Sequence, residues 1–363
     1  MKRLLPIVFI SVLLLLSNRT VFAESHINVS AQHAVLMEAK TGRVMFEKDA
    51  HEKRPIASIT KVMTALLAIE YGDLDDEVTV SKNASRASGS SIYLREGEKM
   101  SLEDLLYGLM LRSGNDAAIA IAEHIAGSVE GFVFLMNQKA MYLGMTNTNF
   151  KNPHGLDEDD HYSTAYDIAL LMRHAMENET FQKIQATKSY QSKQRDYRWY
   201  NKNRLLTGLY PYCTGGKTGY TNKAGRTLVT TAEKNDVRLI AVTLNAPDDW
   251  NDHIHMYESL FERLKNRMLD DKGPYDFFVD FEEELSAYMK EPVIIPVLDE
   301  EIPYLKKKVV LSRADDEEAR IGKIVYQVRD EEVFQAPLYR DEGLFRFFVK
   351  QMGDVIGKMA GYP

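Results

Sequence analysis

The segment from Lys61 to Tyr71 sets the terms for the fold. Val62, Met63, Ala65, Leu66, Leu67 and Ile69 are packed too densely for a helix with one wet face, so the spacing predicts a helix buried on most of its sides. Such a helix needs a layer of structure on each flank. A chain of 363 residues with 45% apolar residues has core enough to supply them.

The flanking pattern says what those layers are. Ala34–Met37 and Arg43–Phe46 bracket Lys40-Thr41-Gly42 and read as two strands joined by a short turn. Ser101, followed by Glu103 and Asp104, opens a helix carrying Leu105, Leu106, Leu109 and Met110 that stops near Ser113-Gly114-Asn115. Helical spacing continues over 117–125, 132–143 and 165–176, and strands follow at 228–231 and 239–244. Strand, many helices, strand predicts a sheet with helices on its faces, an α/β (α+β) domain over residues 24–270. From about Lys272 the chain turns to short β-rich pieces, 293–297, 307–311, 321–328 and 333–338, which predict a small antiparallel β domain over 271–340.

The ends carry separate signals. Lys2 and Arg3 precede an apolar run from Leu4 to Leu16, and Val21-Phe22-Ala23 has the small residues of a cleavage site, so 1–23 reads as an export signal cut after Ala23. In 341–363, Leu344, Phe345, Phe348, Val349, Met352, Val355, Ile356 and Met359 form one apolar helical face, with Arg346, Lys350 and Lys358 off it. That run is too short to span a bilayer and predicts an amphipathic helix lying in the membrane interface. A formal charge of -8 argues against wholesale nucleic-acid binding. Cys213 is the only cysteine, which excludes an intrachain disulfide and suits a small buried side chain.

Ser58-Ile59-Thr60-Lys61 puts a hydroxyl and an amine one helical turn apart at the head of the buried helix. The amine can take the serine proton only if burial or a second cation lowers its pKa from about 10.4. Lys217-Thr218-Gly219 offers a cation and a hydroxyl to a carboxylate, and its glycine lets a substrate backbone come close to a strand. Ser113-Gly114-Asn115 adds a hydroxyl for proton transfer and an amide to hold a peptide or orient Lys61. Ser81-Lys82-Asn83 has the same spacing but follows a strand pattern too soon after Ser58. His154, His161 and His253-Ile254-His255 lack the spacing of a zinc motif and a third ligand.

In this order, S-x-x-K, S-x-N and K-T-G are the signature of penicillin-binding proteins and serine β-lactamases. With Pro55–Thr64, Leu111–Asp116, Asn152-Pro153-His154-Gly155-Leu156, His161–Ala165 and Lys217–Thr221, the chain resembles the low-molecular-mass serine D-alanyl-D-alanine carboxypeptidases of peptidase family S11 over roughly residues 30–265, and among them the sporulation type. The resemblance implies a penicillin-binding/β-lactamase-like transpeptidase domain. It implies Ser58, Lys61 and Ser113 as catalytic, and Asn115, Lys217, Thr218, Gly219 and Tyr220 as substrate-binding, with the backbone N–H groups of Ser58 and Tyr220 facing the oxyanion. It also implies no cofactor and no metal. The partners implied are peptidoglycan peptides ending in D-Ala-D-Ala, β-lactams and, through the C-terminal helix, the outer face of the cytoplasmic membrane. No Glu-x-x-Leu-Asn segment lies between Asn152 and Lys217, which speaks against a class A β-lactamase. Some relatives place an arginine after the strand that follows K-T-G, where this chain has Asn245–Trp250. Lys202 stands where relatives often have a basic residue.

Overall fold

Two segments almost two hundred residues apart make the middle of the main sheet. In the computed structural model, which describes residues 27–279, 283–311 and 320–340, strand His33–Glu38 lies between Val44–Lys48 and Val237–Leu244, and Gly225–Lys234 and Cys213–Thr221 complete five antiparallel strands. His33–Glu38 is buried at every position and Val237–Leu244 at all but one. Both therefore run nearly continuous in apolar residues, as strands covered on two faces do. One face, with Val35, Met37, Val229, Ile240 and Val242, packs against the helices around Lys61–Tyr71. The other, with Ala34, Leu36, Leu228 and Leu239, packs against Met256, Tyr257 and Leu260 of helix Asp249–Phe261.

The predicted central helix is Lys61–Tyr71, buried from Lys61 through Ala68. It has no side-chain cap and grows out of a 3-10 turn at Ala57–Thr60 whose first residue has φ +51. Burying a side chain such as Leu66 or Leu67 here stabilises the fold by about 1.5–3 kcal/mol. The helix opened by Ser101, whose hydroxyl accepts from the Asp104 N–H at 3.1 Å, runs from Leu102 to Tyr107 and loosens into a π turn over Gly108–Arg112. Ser113 then takes a left-handed conformation, φ +66, and starts helix Asn115–Ala126 after Gly114. The other expected helices are Val129–Tyr142 and Ala165–Ala175. Among the described residues no single helix is long and apolar enough to cross a membrane.

The small antiparallel sheet has the order Gly273–Val279, Glu283–Met289, Glu331–Arg340, Arg320–Val328, Leu305–Leu311, with Ala287, Ile324, Tyr326 and Leu338 at its core. Strand Val293–Leu298 is not part of it. It pairs instead with Leu264–Asp270, so the β pairing of the C-terminal part reaches back past the change expected at residue 271. Lys265 and Arg267, which pair with Asp299, hide the alternation of that strand. Contacts from the main sheet's turn meet this region: Lys40 donates to the Ile294 carbonyl at 2.5 Å, and Arg43 pairs with Glu301. The export signal at 1–23 and the helix at 341–363 lie outside the described residues.

Candidate active site

The 3-10 turn is positioned by two close backbone approaches. A Cβ on Gly155 would sit 1.9 Å from the Ala57 carbonyl oxygen, and one on Gly219 would sit 2.9 Å from the Ser58 nitrogen and 2.3 Å from Thr227 Oγ1. Gly155 also has φ +86, so glycine is required there twice over. Thr227 donates to the Ile56 carbonyl at 2.9 Å. The result presses the strand carrying Lys217-Thr218-Gly219 against the N–H of Ser58.

Lys61 starts the central helix with its Nζ sealed from water. It lies 3.0 Å from Ser58 Oγ, 2.7 Å from Asn115 Oδ1 and 2.5 Å from the His154 carbonyl oxygen. Burial first, and then the charges of Lys217 and Lys202, hold its pKa well below the ordinary lysine value. Lys217, also buried, lies 3.0 Å from Ser113 Oγ and donates to the Thr218 carbonyl at 2.7 Å. Burial and Lys202 bring its pKa down to about 7. Lys202 reaches Ser90 Oγ at 3.3 Å and is itself lowered, by burial and by Arg112. Among the described residues no carboxylate is within ion-pair distance of any of these three amines. A Ser58 hydroxyl 3.0 Å from a buried amine whose pKa is lowered has the arrangement of a nucleophile beside a base.

Ser58, Lys61, Ser113, Asn115 and Lys217 thus come together, with Thr218 half-buried and Tyr220 exposed at the strand's outer end. Asp116 had no role in the sequence pattern. It is buried and accepts from the Ile92 and Leu94 N–H groups and from Ser91 Oγ, fixing the stretch whose Ser88 and Ser90 carbonyls take the Asn115 side-chain and backbone N–H. The acid directly after Asn115, in the first turn of a helix, was the signal available. The His154 carbonyl had none, being backbone.

Several candidates fall elsewhere. Ser81 caps a short helix and, with Asn83, bonds Glu123. His161 donates from Nε2 to Thr60 Oγ1 and accepts the Lys151 N–H on Nδ1, so it braces the loop against the helix as a neutral ring, its pKa lowered by burial to about 4. His154 accepts from the Leu156 N–H, and burial lowers its pKa to about 3. His253 is buried between Thr230 and Thr243 hydroxyls. Cys213 is buried, which pushes its thiol up to about 11. Where an arginine was missed after the strand, the adjacent strand has Arg226 opposite Tyr220, but its guanidinium is paired with Asp249 at 2.5 Å.

Residues 20–248 match the Peptidase S11 family model, described as D-alanyl-D-alanine carboxypeptidase. The chain belongs to this carboxypeptidase family. It is 34% identical to the D-alanyl-D-alanine carboxypeptidase DacF of Bacillus subtilis, over 98% of this chain and 99% of that protein. It is 40% identical to DacC of Escherichia coli over 61% of this chain and 58% of that one. Among solved structures, penicillin binding protein 5 of Haemophilus influenzae superposes with a TM-score of 0.72 at 26% identity, covering 86% of this chain and 97% of the other. The family assignment makes the chain a serine D-Ala-D-Ala carboxypeptidase of penicillin-binding fold.

Proposed function

We propose that this carboxypeptidase removes the terminal D-alanine of peptidoglycan stem pentapeptides through an acyl-enzyme on Ser58. The observation that carries the reading is the 3.0 Å contact between Ser58 Oγ and a Lys61 amine whose pKa burial lowers well below the ordinary lysine value. Lys61 accepts the Ser58 proton as Oγ attacks the carbonyl between the two D-alanines. The tetrahedral oxyanion meets the backbone N–H groups of Ser58 and Tyr220, each donor worth about 3–4 kcal/mol in comparable acyl transfer. Ser113, 3.0 Å from Lys217, passes a proton to the departing D-alanine amine as the C–N bond breaks. Water then cleaves the ester and restores Ser58.

Lys217 and Thr218 take the terminal carboxylate, whose negative charge favours the protonated form of Lys217. Asn115 holds Lys61 with its carbonyl oxygen and borders the peptide, and Gly219 leaves space for the peptide backbone. A β-lactam acylates the same oxygen. Residues 341–363 hold the enzyme to the outer face of the membrane as an interfacial helix, supported by the apolar stripe and basic flank in the sequence.

Mass analysis of the penicillin-labelled protein tests the nucleophile: the adduct is expected on the peptide containing Ser58, and an adduct elsewhere rules Ser58 out. Deleting residues 341–363 is expected to release the enzyme from anionic vesicles with its labelling intact. Continued vesicle binding refutes the anchor.

A further inference from the structure

A groove of about 780 Å³ opens between the turn around Tyr93–Glu98 and the loop Gln194–Tyr197. The chain connects it to the active site. The stretch that bonds Asn115 through Ser88 and Ser90, and receives Lys202 on Ser90 Oγ, continues directly into Tyr93.

Tyr93 is held unusually. A bulky residue at φ +63 is a backbone outlier, yet its side chain is 76% exposed, so no packing of the ring explains it. The backbone on either side is fixed instead: Ile92 and Leu94 N–H both donate to buried Asp116, and Tyr93 N–H donates to Ser91 Oγ at 2.8 Å. Backbone strain maintained under an exposed ring points to a ligand. Across the groove stands Tyr197, 48% exposed. Between them Arg195 pairs with Glu98, while its Nη2 is enclosed without an acceptor. Arg95, Glu96 and Asp196 bring both charge signs to the lining.

Two exposed phenol rings in a lining with polar side chains of both signs do not suit a strongly charged ligand. They suit a neutral ring rich in hydroxyl and amide groups, whose C–H face lies on an aromatic and whose edges hydrogen-bond. We infer that this groove is a glycan subsite, taking N-acetylated sugars of the wall polymer while the attached stem peptide occupies the Ser58 cleft. The identity of the polymer rests on the carboxypeptidase reading; the shape and chemistry of the groove do not.

The test compares one pentapeptide carried on an N-acetylglucosamine–N-acetylmuramate disaccharide with the same pentapeptide bare. The full-length enzyme is expected to favour the sugar-bearing form by about tenfold in kcat/KM, a gain of the size one aromatic platform provides. Tyr93→Ala should lose that preference through KM and cleave the bare peptide within about twofold of wild type, and Tyr93→Phe should keep it. Equal use of both substrates by the wild type overturns the subsite, as does an equal loss on both in Tyr93→Ala or a preference that survives it. A peptide-free oligosaccharide of the same sugars, titrated against the Ser58→Ala protein, separates the two readings. Binding that depends on Tyr93, with no D-alanine released by the wild type, leaves the subsite standing and removes the hydrolase. D-alanine release with no oligosaccharide binding does the reverse.

Discussion

Lysines of the active site and lysines of the small sheet are the same side chain put to opposite uses. Lys265 and Lys306 are exposed and each lies 2.7 Å from a carboxylate, Asp299 and Asp330. Lys61 and Lys217 are buried among hydroxyls and carbonyls, beside Lys202, with no carboxylate partner among the described residues. The exposed pairs contribute little, because solvent screens them. Burial lowers the pKa of the buried amine, which makes its unprotonated, proton-accepting form easier to reach where a serine proton must go. Environment, not residue type, separates a surface ion pair from a general base.

The sharpest way to break the comparison is to remove the chemistry and keep the fold. Ser58→Ala is expected to abolish fluorescent-penicillin labelling and to lower D-alanine release by roughly 10⁴-fold or more, with an unchanged circular dichroism spectrum. Labelling at wild-type level would end the assignment. Next in size, Gly219→Ala should slow acylation by about 10²-fold, since a methyl at 2.9 Å from the Ser58 nitrogen forces the strand off the turn. Stopped-flow acylation rates check it, and an unchanged rate would show that the strand yields without moving the site.

The pH profile sharpens the contrast. With Lys61 as the proposed base and Lys217 as the proposed carboxylate partner, the acylation rate should rise with pH as Lys61 loses its proton and fall as Lys217 does, the latter around its own value of about 7, shifted upward by bound carboxylate. Lys202→Met removes a positive neighbour, raises both lysines and moves both limbs to higher pH. A profile that stays in place shows that Lys202 is screened from them.

Stability carries the same signature. A lysine whose folded pKa is lowered binds fewer protons folded than unfolded, so stability rises with pH between about 7 and the unfolded value near 10.4. Lys217→Met should flatten that rise, seen as a melting-temperature difference from wild type that shifts against the variant toward pH 10. At the small end, Lys306→Met should move the melting temperature by no more than about 1 °C and leave penicillin labelling alone.

What the sequence revealed of this site follows the same division between side chain and surroundings. Ser58 with Lys61, Ser113 with Asn115, and Lys217 with Thr218 were legible because each pair has a fixed local spacing and a reactive side chain. The His154 carbonyl, the Gly155 conformation and the carbonyls of Ser88 and Ser90 were not, because a backbone atom leaves no mark in residue type. In the fold, the densely apolar Lys61–Tyr71 and the helices after it were plain. Helix Asp249–Phe261 was missed, since His253 and His255 drew attention as polar groups while Met256, Tyr257 and Leu260 formed its buried face. Gly273–Val279 and Glu283–Met289 were obscured by Pro274 and by the acidic run before Leu285.

The three contacts of Lys61 Nζ join residues 58, 115 and 154, and the strand that closes over Ser58 begins at 213. No short piece of the chain contains even half of that arrangement. A polypeptide in which these segments have not yet met therefore lacks the buried amine and the closed strand around Ser58. Covalent labelling by penicillin in this enzyme is then expected to report the long-range assembly of the fold, and a chain short of that assembly is one the antibiotic passes by.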